Sequence, residues 1–184
     1  MNNTTQLMTT ALLHYLRFKR QSFVATEVEY GYGPADILFI PKKEQKIYEV
    51  ECKISKNDFF NEWRKKELKH KMLHTKINYF YFCVPKELSQ FALEQINNKN
   101  LPYGLMIYEE KWIKYSNQSK MKLDLSESIS ILRNAQNLKK KENKFFNQIK
   151  ESISLRAMSE LASLYKEKSY LCAKSKDVLK EITN

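Results

Sequence analysis

The run Tyr79-Phe80-Tyr81-Phe82-Cys83-Val84, closed by Pro85, does most to limit what this chain can fold into. A strand with no polar face has to lie between two covering layers. The run is therefore expected to be a central strand, in a sheet that carries helices on both sides.

Other segments supply its neighbours. Ser22 to Tyr30 reads as a first strand, and Gly31 and Gly33 flank a tight connection to a second. That second strand is the stretch Gly33-Pro34-Ala35-Asp36-Ile37-Leu38-Phe39-Ile40, a polar turn entering an apolar run. Lys46 to Ser55 alternates strictly and reads as a third strand. Tyr103 to Tyr108 reads as a further strand with Lys111 to Tyr115 as a hairpin partner, and Ile129 to Leu132 as an edge strand after polar residues 116–128.

Helical spacing appears in four places. Leu7, Met8, Ala11, Leu12, Tyr15 and Leu16 follow a cap at Thr4 or Thr5, and Arg17, Lys19 and Arg20 suit the negative end of that helix dipole. Ser55 to His74 reads as one helix with Phe59, Phe60, Trp63 and Leu68 inward, and Leu88 to Asn97 as a crossover helix. From about Glu142 the pattern is helical again, with Phe145, Phe146, Ile149, Ile153, Leu161, Leu164 and Tyr165 in stripes. Ser154 is expected to interrupt it, with a last helix from Tyr170 to Ile182. This divides the chain into a core over residues 1–120 and, over 121–184, an edge strand and helical extension that packs on the core or serves oligomerisation.

Alternation also fixes faces. On the third strand Glu49, Glu51 and Lys53 project together, while Tyr48, Val50, Cys52 and Ile54 point the other way. Strands that face water commonly carry Glu and Lys, so Glu-x-Lys alone carries little weight. Here an Asp begins the preceding strand, an apolar row backs the charged face, and a basic helix follows directly. Together these features suggest a site built for phosphate chemistry.

The ordered set Pro34-Ala35-Asp36 and Glu51-Cys52-Lys53 resembles the signature of the PD-(D/E)XK nuclease superfamily, although Ala35 separates Pro34 from Asp36. The stretch Tyr48 to Phe59 is similar to the MmcB-like DNA-repair and phage nuclease-like proteins. So are Asn78 to Pro85 and the pair Thr26-Glu27. The resemblance covers about residues 5–115. It implies a restriction-endonuclease-like α/β core, with helix, three strands, helix and strand in order and a mixed sheet flanked by helices. It assigns metal binding to Asp36, Glu51 and the backbone carbonyl of Cys52, and gives Lys53 the task of orienting water and stabilising negative charge. Glu27 is the further acid that the resemblance suggests, since the first helix holds none; Glu29 shares its face, and Glu49 is an accessory or a solvated acid. The implied cofactor is Mg2+, with Mn2+ as a substitute, because a hard cation takes oxygen ligands and offsets phosphate charge.

Composition agrees with a polyanionic partner. The 184 residues carry a net charge of +11, which favours such a partner through long-range attraction and counterion release. Lys56, Arg64, Lys65, Lys66, Lys69 and Lys71 make the helix after the Glu-x-Lys strand a candidate phosphate surface, with a solvated helix face as the alternative. Lys139, Lys140, Lys141 and Lys144 form a second cluster. His70 and His74 stand at i and i+4, without the glutamate or cysteine that a zinc site of that spacing needs. Three widely spaced cysteines, Cys52, Cys83 and Cys172, indicate no disulfide framework. No apolar run matches a membrane span and no signal-peptide core is visible, so a cytoplasmic location is expected, in a bacterial cell or a phage-infected host.

The expected function is a metal-dependent DNA endonuclease in repair, recombination or phage DNA processing. Its partner would be duplex or branched DNA, and a homodimer would suit a two-strand cut. The alternative is a noncatalytic nucleic-acid-binding or assembly protein on the same fold.

Overall fold

The computed structural model describes residues 3–31, 33–114, 121–125, 127–139 and 143–183; the side chains of Asn3, Lys65 and residues 168–183 lie outside that description. The expectations for Lys65 as a contact, for Lys140 and Lys141, and for the Cys172 thiol fall there.

Helix α1 (Asn3–His14) runs into a π-helical turn, Tyr15–Lys19, which the Arg20 N–H closes on the Tyr15 carbonyl. Strands β1 (Ser22–Glu29), β2 (Pro34–Pro41) and β3 (Tyr48–Cys52) form an antiparallel meander. Helices α2 (Lys56–Lys65) and α3 (Glu67–Lys76) cross over to β4 (Tyr79–Pro85), which runs parallel to β3. Helix α4 (Ser89–Asn98) leads to β5 (Gly104–Tyr108), parallel to β4. A hairpin of β6 (Trp112–Lys114) and β7 (Met121–Leu123) stands apart, β8 (Ile129–Arg133) closes the sheet antiparallel to β5, and α5 (Phe146–Thr183) ends the described chain. The sheet order is β1-β2-β3-β4-β5-β8.

The result is a mixed α/β fold with β3 and β4 at the centre. Both faces are covered, as the apolar β4 run requires. On one face Leu38, Ile40, Phe80, Phe82, Val84 and Leu105 meet Phe59, Leu73, Ala92, Ile96, Ile149 and Ile153 from the helices after β3. On the other, Ile37, Phe39, Val50, Tyr81, Cys83 and Met106 meet Met8, Ala11 and Leu12 of α1 and Leu16 of the turn after it. Each fully buried Phe contributes about 2–3 kcal/mol relative to exposure. No helix among the described residues is long and apolar enough to cross a membrane.

Several boundaries differ from the sequence reading. The helix expected over Ser55 to His74 is two, broken at Lys66, whose backbone sits at φ −118° and ψ 25°. Backbone bonds from Lys66 N–H to Glu62 and from His70 N–H to Lys66 bracket the break. Phe59 is buried, but Phe60 and Leu68 are 49% and 70% exposed, because the inward stripe runs through Glu62, Lys69 and Leu73 instead. The partner of β5 is β8; residues 112–114 pair with 121–123, inside the stretch expected to be loop. Helix α5 is continuous, and Ser154 stays within it by donating its hydroxyl to the Lys150 carbonyl at 2.9 Å.

Candidate active site

The open ends of β2 and β3 lead into a cavity of about 650 Å3. The antiparallel register that pairs Ile37 with Val50 brings Asp36 beside Glu51, and Oδ2 of Asp36 accepts the Cys52 N–H at 2.7 Å. Cys52 lines the cavity while its side chain belongs to the core beneath α1, which leaves its backbone on the cavity side. Lys53 follows at the end of the strand. Helix α2 starts over the cavity because Ser55 caps it, accepting the Asp58 N–H at 3.1 Å. Asp58, Asn61, Glu62 and Lys66 complete that wall, and Thr5 and Thr9 of α1 face them.

Glu49, Glu51 and Lys53 do share a face, and they are buried, at 0%, 1% and 5% exposure. Ionised groups persist at such burial only when paired. Lys53 lies 3.0 Å from Glu51 and 2.7 Å from Glu62. Lys69 lies 2.6 Å from Glu49 and 2.8 Å from Glu51. Lys66 contacts Glu51 and stands 3.3 Å from Glu62. Tyr30 donates its hydroxyl to Glu49 at 2.6 Å, and His70 bridges Glu62 and Tyr103 at 3.0 Å to each. Lys69 was expected on the phosphate-facing surface. At 3% exposure between two carboxylates it is instead an internal counter-ion.

Glu62, Tyr30 and Tyr103 were not singled out from the sequence. A signal was present for Glu62: the inward phase of α2 and α3 contains Phe59, Glu62, Lys66, Lys69 and Leu73. Charged residues at core positions of a helix must find partners across the interface.

Four carboxylates, Asp36, Glu49, Glu51 and Glu62, face three ammonium groups, Lys53, Lys66 and Lys69. Burial acts first on the acidities of these carboxyls, and the neighbouring charges then separate them. Burial and then the Glu51 charge push Asp36 up to about 6, and burial pushes Glu49 up to about 7. For Glu51 burial acts upward too, but Lys69, Lys53 and Lys66 outweigh it and the carboxyl is lowered. Glu62 is likewise lowered, by the His70 hydrogen bond and Lys53 acting against burial. Lys53 is held above its ordinary value, since Glu51 and Glu62 overcome its desolvation.

These shifts predict a pH dependence. Asp36 and Glu49 bind protons more tightly folded than unfolded, so their contribution falls as pH rises from the ordinary carboxylate range through about 6 and about 7. Glu51 and Glu62 contribute stability that is lost as pH falls below the ordinary range. The metal-free protein should therefore be most stable at about pH 4–5 and lose about 4 kcal/mol by pH 8, and Glu49→Gln should abolish the larger part of that loss. Denaturant melts across pH check this; stability rising steadily from acid to neutral pH would count against it.

Glu27 lines the cavity from β1. It adopts φ 49° between the pairs Thr26–Ile37 and Val28–Ala35, which interrupts alternation. Such a left-handed backbone costs a non-glycine residue about 1 kcal/mol. Helix α5 braces the spot: Arg156 binds the Glu27 carboxylate at 2.8 Å and the Thr26 carbonyl at 3.1 Å, and Glu160 accepts from Thr26. Glu29 does not line the cavity. Lys56, Arg64 and Lys71 are exposed, with Lys71 paired to Glu67 at 2.6 Å. Arg133 is engaged by Asn97 and the Leu101 carbonyl, and Lys139 by Asn143.

The donor set fits a hard cation. Among the described residues no cluster of three or more His, Cys, Asp or Glu side chains has metal-ligand spacing. Two carboxylates and a backbone oxygen suit Mg2+, which keeps several water or substrate ligands. Asp36 holds its proton more tightly than an ordinary carboxyl, through burial first and then the Glu51 charge, and a cation beside the two acids would relieve that repulsion.

No protein-family model matches the chain, and no curated protein matches it. Among solved structures it is similar to a protein of unknown function from Silicibacter pomeroyi, with a TM-score of 0.62 and 17% identity over 89% of this chain and 92% of that one. At that identity the likeness concerns the fold alone.

Proposed function

We propose that this chain is a PD-(D/E)XK-type, restriction-endonuclease-like nuclease that hydrolyses phosphodiester bonds of DNA with Mg2+. The observation that carries the reading is the juxtaposition of Asp36, Glu51 and Lys53 at the ends of adjoining strands, in one cavity with an excess of carboxylate. Asp36, Glu51 and the Cys52 backbone would hold the cation, which supplies charge neutralisation at phosphate and a more acidic water. Lys53 remains protonated, so it serves as a positioned positive charge rather than a base. Glu62 fixes that ammonium from behind.

A second reading has its own support. Glu51 is engaged by three lysines, Lys53, Lys66 and Lys69, which balance its charge within the protein. That suits a noncatalytic nucleic-acid-binding or assembly protein. Incubating the protein with plasmid, branched DNA and RNA, in Mg2+ and in chelator, separates the two: the nuclease reading expects cleavage in Mg2+ alone. Tight binding without cleavage in Mg2+ or Mn2+ would favour the alternative.

The nuclease reading, and the nucleic-acid-binding form of the alternative, place nucleic acid on the exposed cations of α2 and α3. Replacing Lys56, Arg64 and Lys71 by Gln should weaken binding in Ca2+ to unrelated sequences alike and reduce the log–log salt slope by about 2–3. An unchanged slope would remove this face from the interface.

A further inference from the structure

Three lysines reach Glu51, and they are not equivalent. Lys53 is gripped by Glu62 at 2.7 Å and Lys69 by Glu49 at 2.6 Å, with side chains 6% and 3% exposed. Lys66 is 35% exposed, stands at the break between α2 and α3, and lines the cavity. Its second acid, Glu62, lies 3.3 Å away and is held more closely by Lys53 and His70. Lys66 and Lys53 share Oε1 of Glu51, while Lys69 takes Oε2. A flexible four-carbon stem lets such an ammonium swing into solvent while the backbone stays still. Lys53 and Lys69 have no comparable exit.

The geometry points to Lys66 as the exchangeable cation of this site. It holds Glu51 in the metal-free protein, yields when a divalent cation binds between Asp36 and Glu51, and turns to a phosphate oxygen of the substrate in the same cavity. This rests on the nuclease reading of the cavity. The physical reason is repulsion: every ammonium beside Glu51 opposes a divalent cation there, and Lys66 alone of these three has an exposed path by which to withdraw and lower that cost. Once displaced, its charge remains within the cavity, where a phosphate is the natural partner.

The test titrates Mn2+ into the protein without nucleic acid and reads the free ion by electron paramagnetic resonance. Lys66→Met keeps most of the stem and removes the charge; it should bind Mn2+ at least about tenfold more tightly than wild type. Lys66→Gln should do the same, and Lys66→Arg, which keeps the charge, should stay close to wild type. In the unaltered chain, Mg2+ should increase labelling of Lys66 by an amine-reactive reagent several-fold, with the modified peptide quantified by mass spectrometry. Mn2+ affinity unchanged or weakened in both neutral variants, or labelling of Lys66 unaffected by Mg2+, would overturn the proposal while leaving the metal site standing. Failure of every form to take up Mn2+ would overturn both.

Discussion

Replacing Lys69 by Met is expected to destabilise the protein by about 3–5 kcal/mol, the cost of leaving buried charge without its partner. A solvent-facing lysine would cost less than about 0.5 kcal/mol. Lys69 lies between Glu49 and Glu51 at 2.6 and 2.8 Å, and neither acid is exposed by more than 1%. Without it Glu49, already raised to about 7, would take up a proton to escape its isolation. The penalty should therefore shrink as pH falls from 8 towards 6. Glu49→Gln in the same chain should recover part of it, because the two residues are in contact and their effects do not add. Melts of the two single variants and the double variant measure this coupling, and a cost near that of a surface lysine would mean that the buried network is wrong. At about 2–4 °C per kcal/mol for a chain of this size, the loss should be plain in a thermal melt.

The second large effect concerns the ion. Asp36→Asn should reduce affinity for Mn2+ by about a hundredfold or more, through loss of one of two anionic ligands from a hard cation. Its side-chain oxygen can still accept the Cys52 N–H, so the strand ends should keep their geometry. Calorimetry decides the matter: equal uptake by wild type and variant would place the ion elsewhere. Alanine at Glu51 or Lys53 is a poorer probe. Both residues are buried within ion pairs, and truncating either strands its partners in the interior, so a loss of activity would mix catalysis with folding.

How far the sequence carried depends on the kind of signal each residue left. The unbroken apolar β4 run marked a central strand, and strict alternation placed Glu49, Glu51 and Lys53 on one face, because strand periodicity is local. Their burial was not local information. It depends on α2 and α3 covering that face, where the inward phase runs through Phe59, Glu62, Lys69 and Leu73 rather than through Phe60 and Leu68. Lysines in a basic helix read as solvated until the opposing acids are in place. The break at Lys66 has no glycine or proline to announce it. Glu27 was picked out as an acid of the first strand, but its left-handed backbone and the Arg156 contact arise from packing against α5, more than a hundred residues away in sequence. The partner of β5 went astray for a related reason. Proximity favours a hairpin with residues 111–115, while the observed pairing reaches past a separate hairpin to β8.

The central claim is that Asp36 and Glu51 run phosphodiester hydrolysis in this cavity, and the most direct test is the rate of DNA cleavage in Mg2+ by wild type and by Asp36→Asn at equal folded concentration. The account predicts cleavage by wild type that chelator abolishes, and a rate lower by about a thousandfold in the variant, as expected when transition-state charge loses its stabilisation. Equal cleavage by both proteins, or cleavage that persists in chelator, would contradict it.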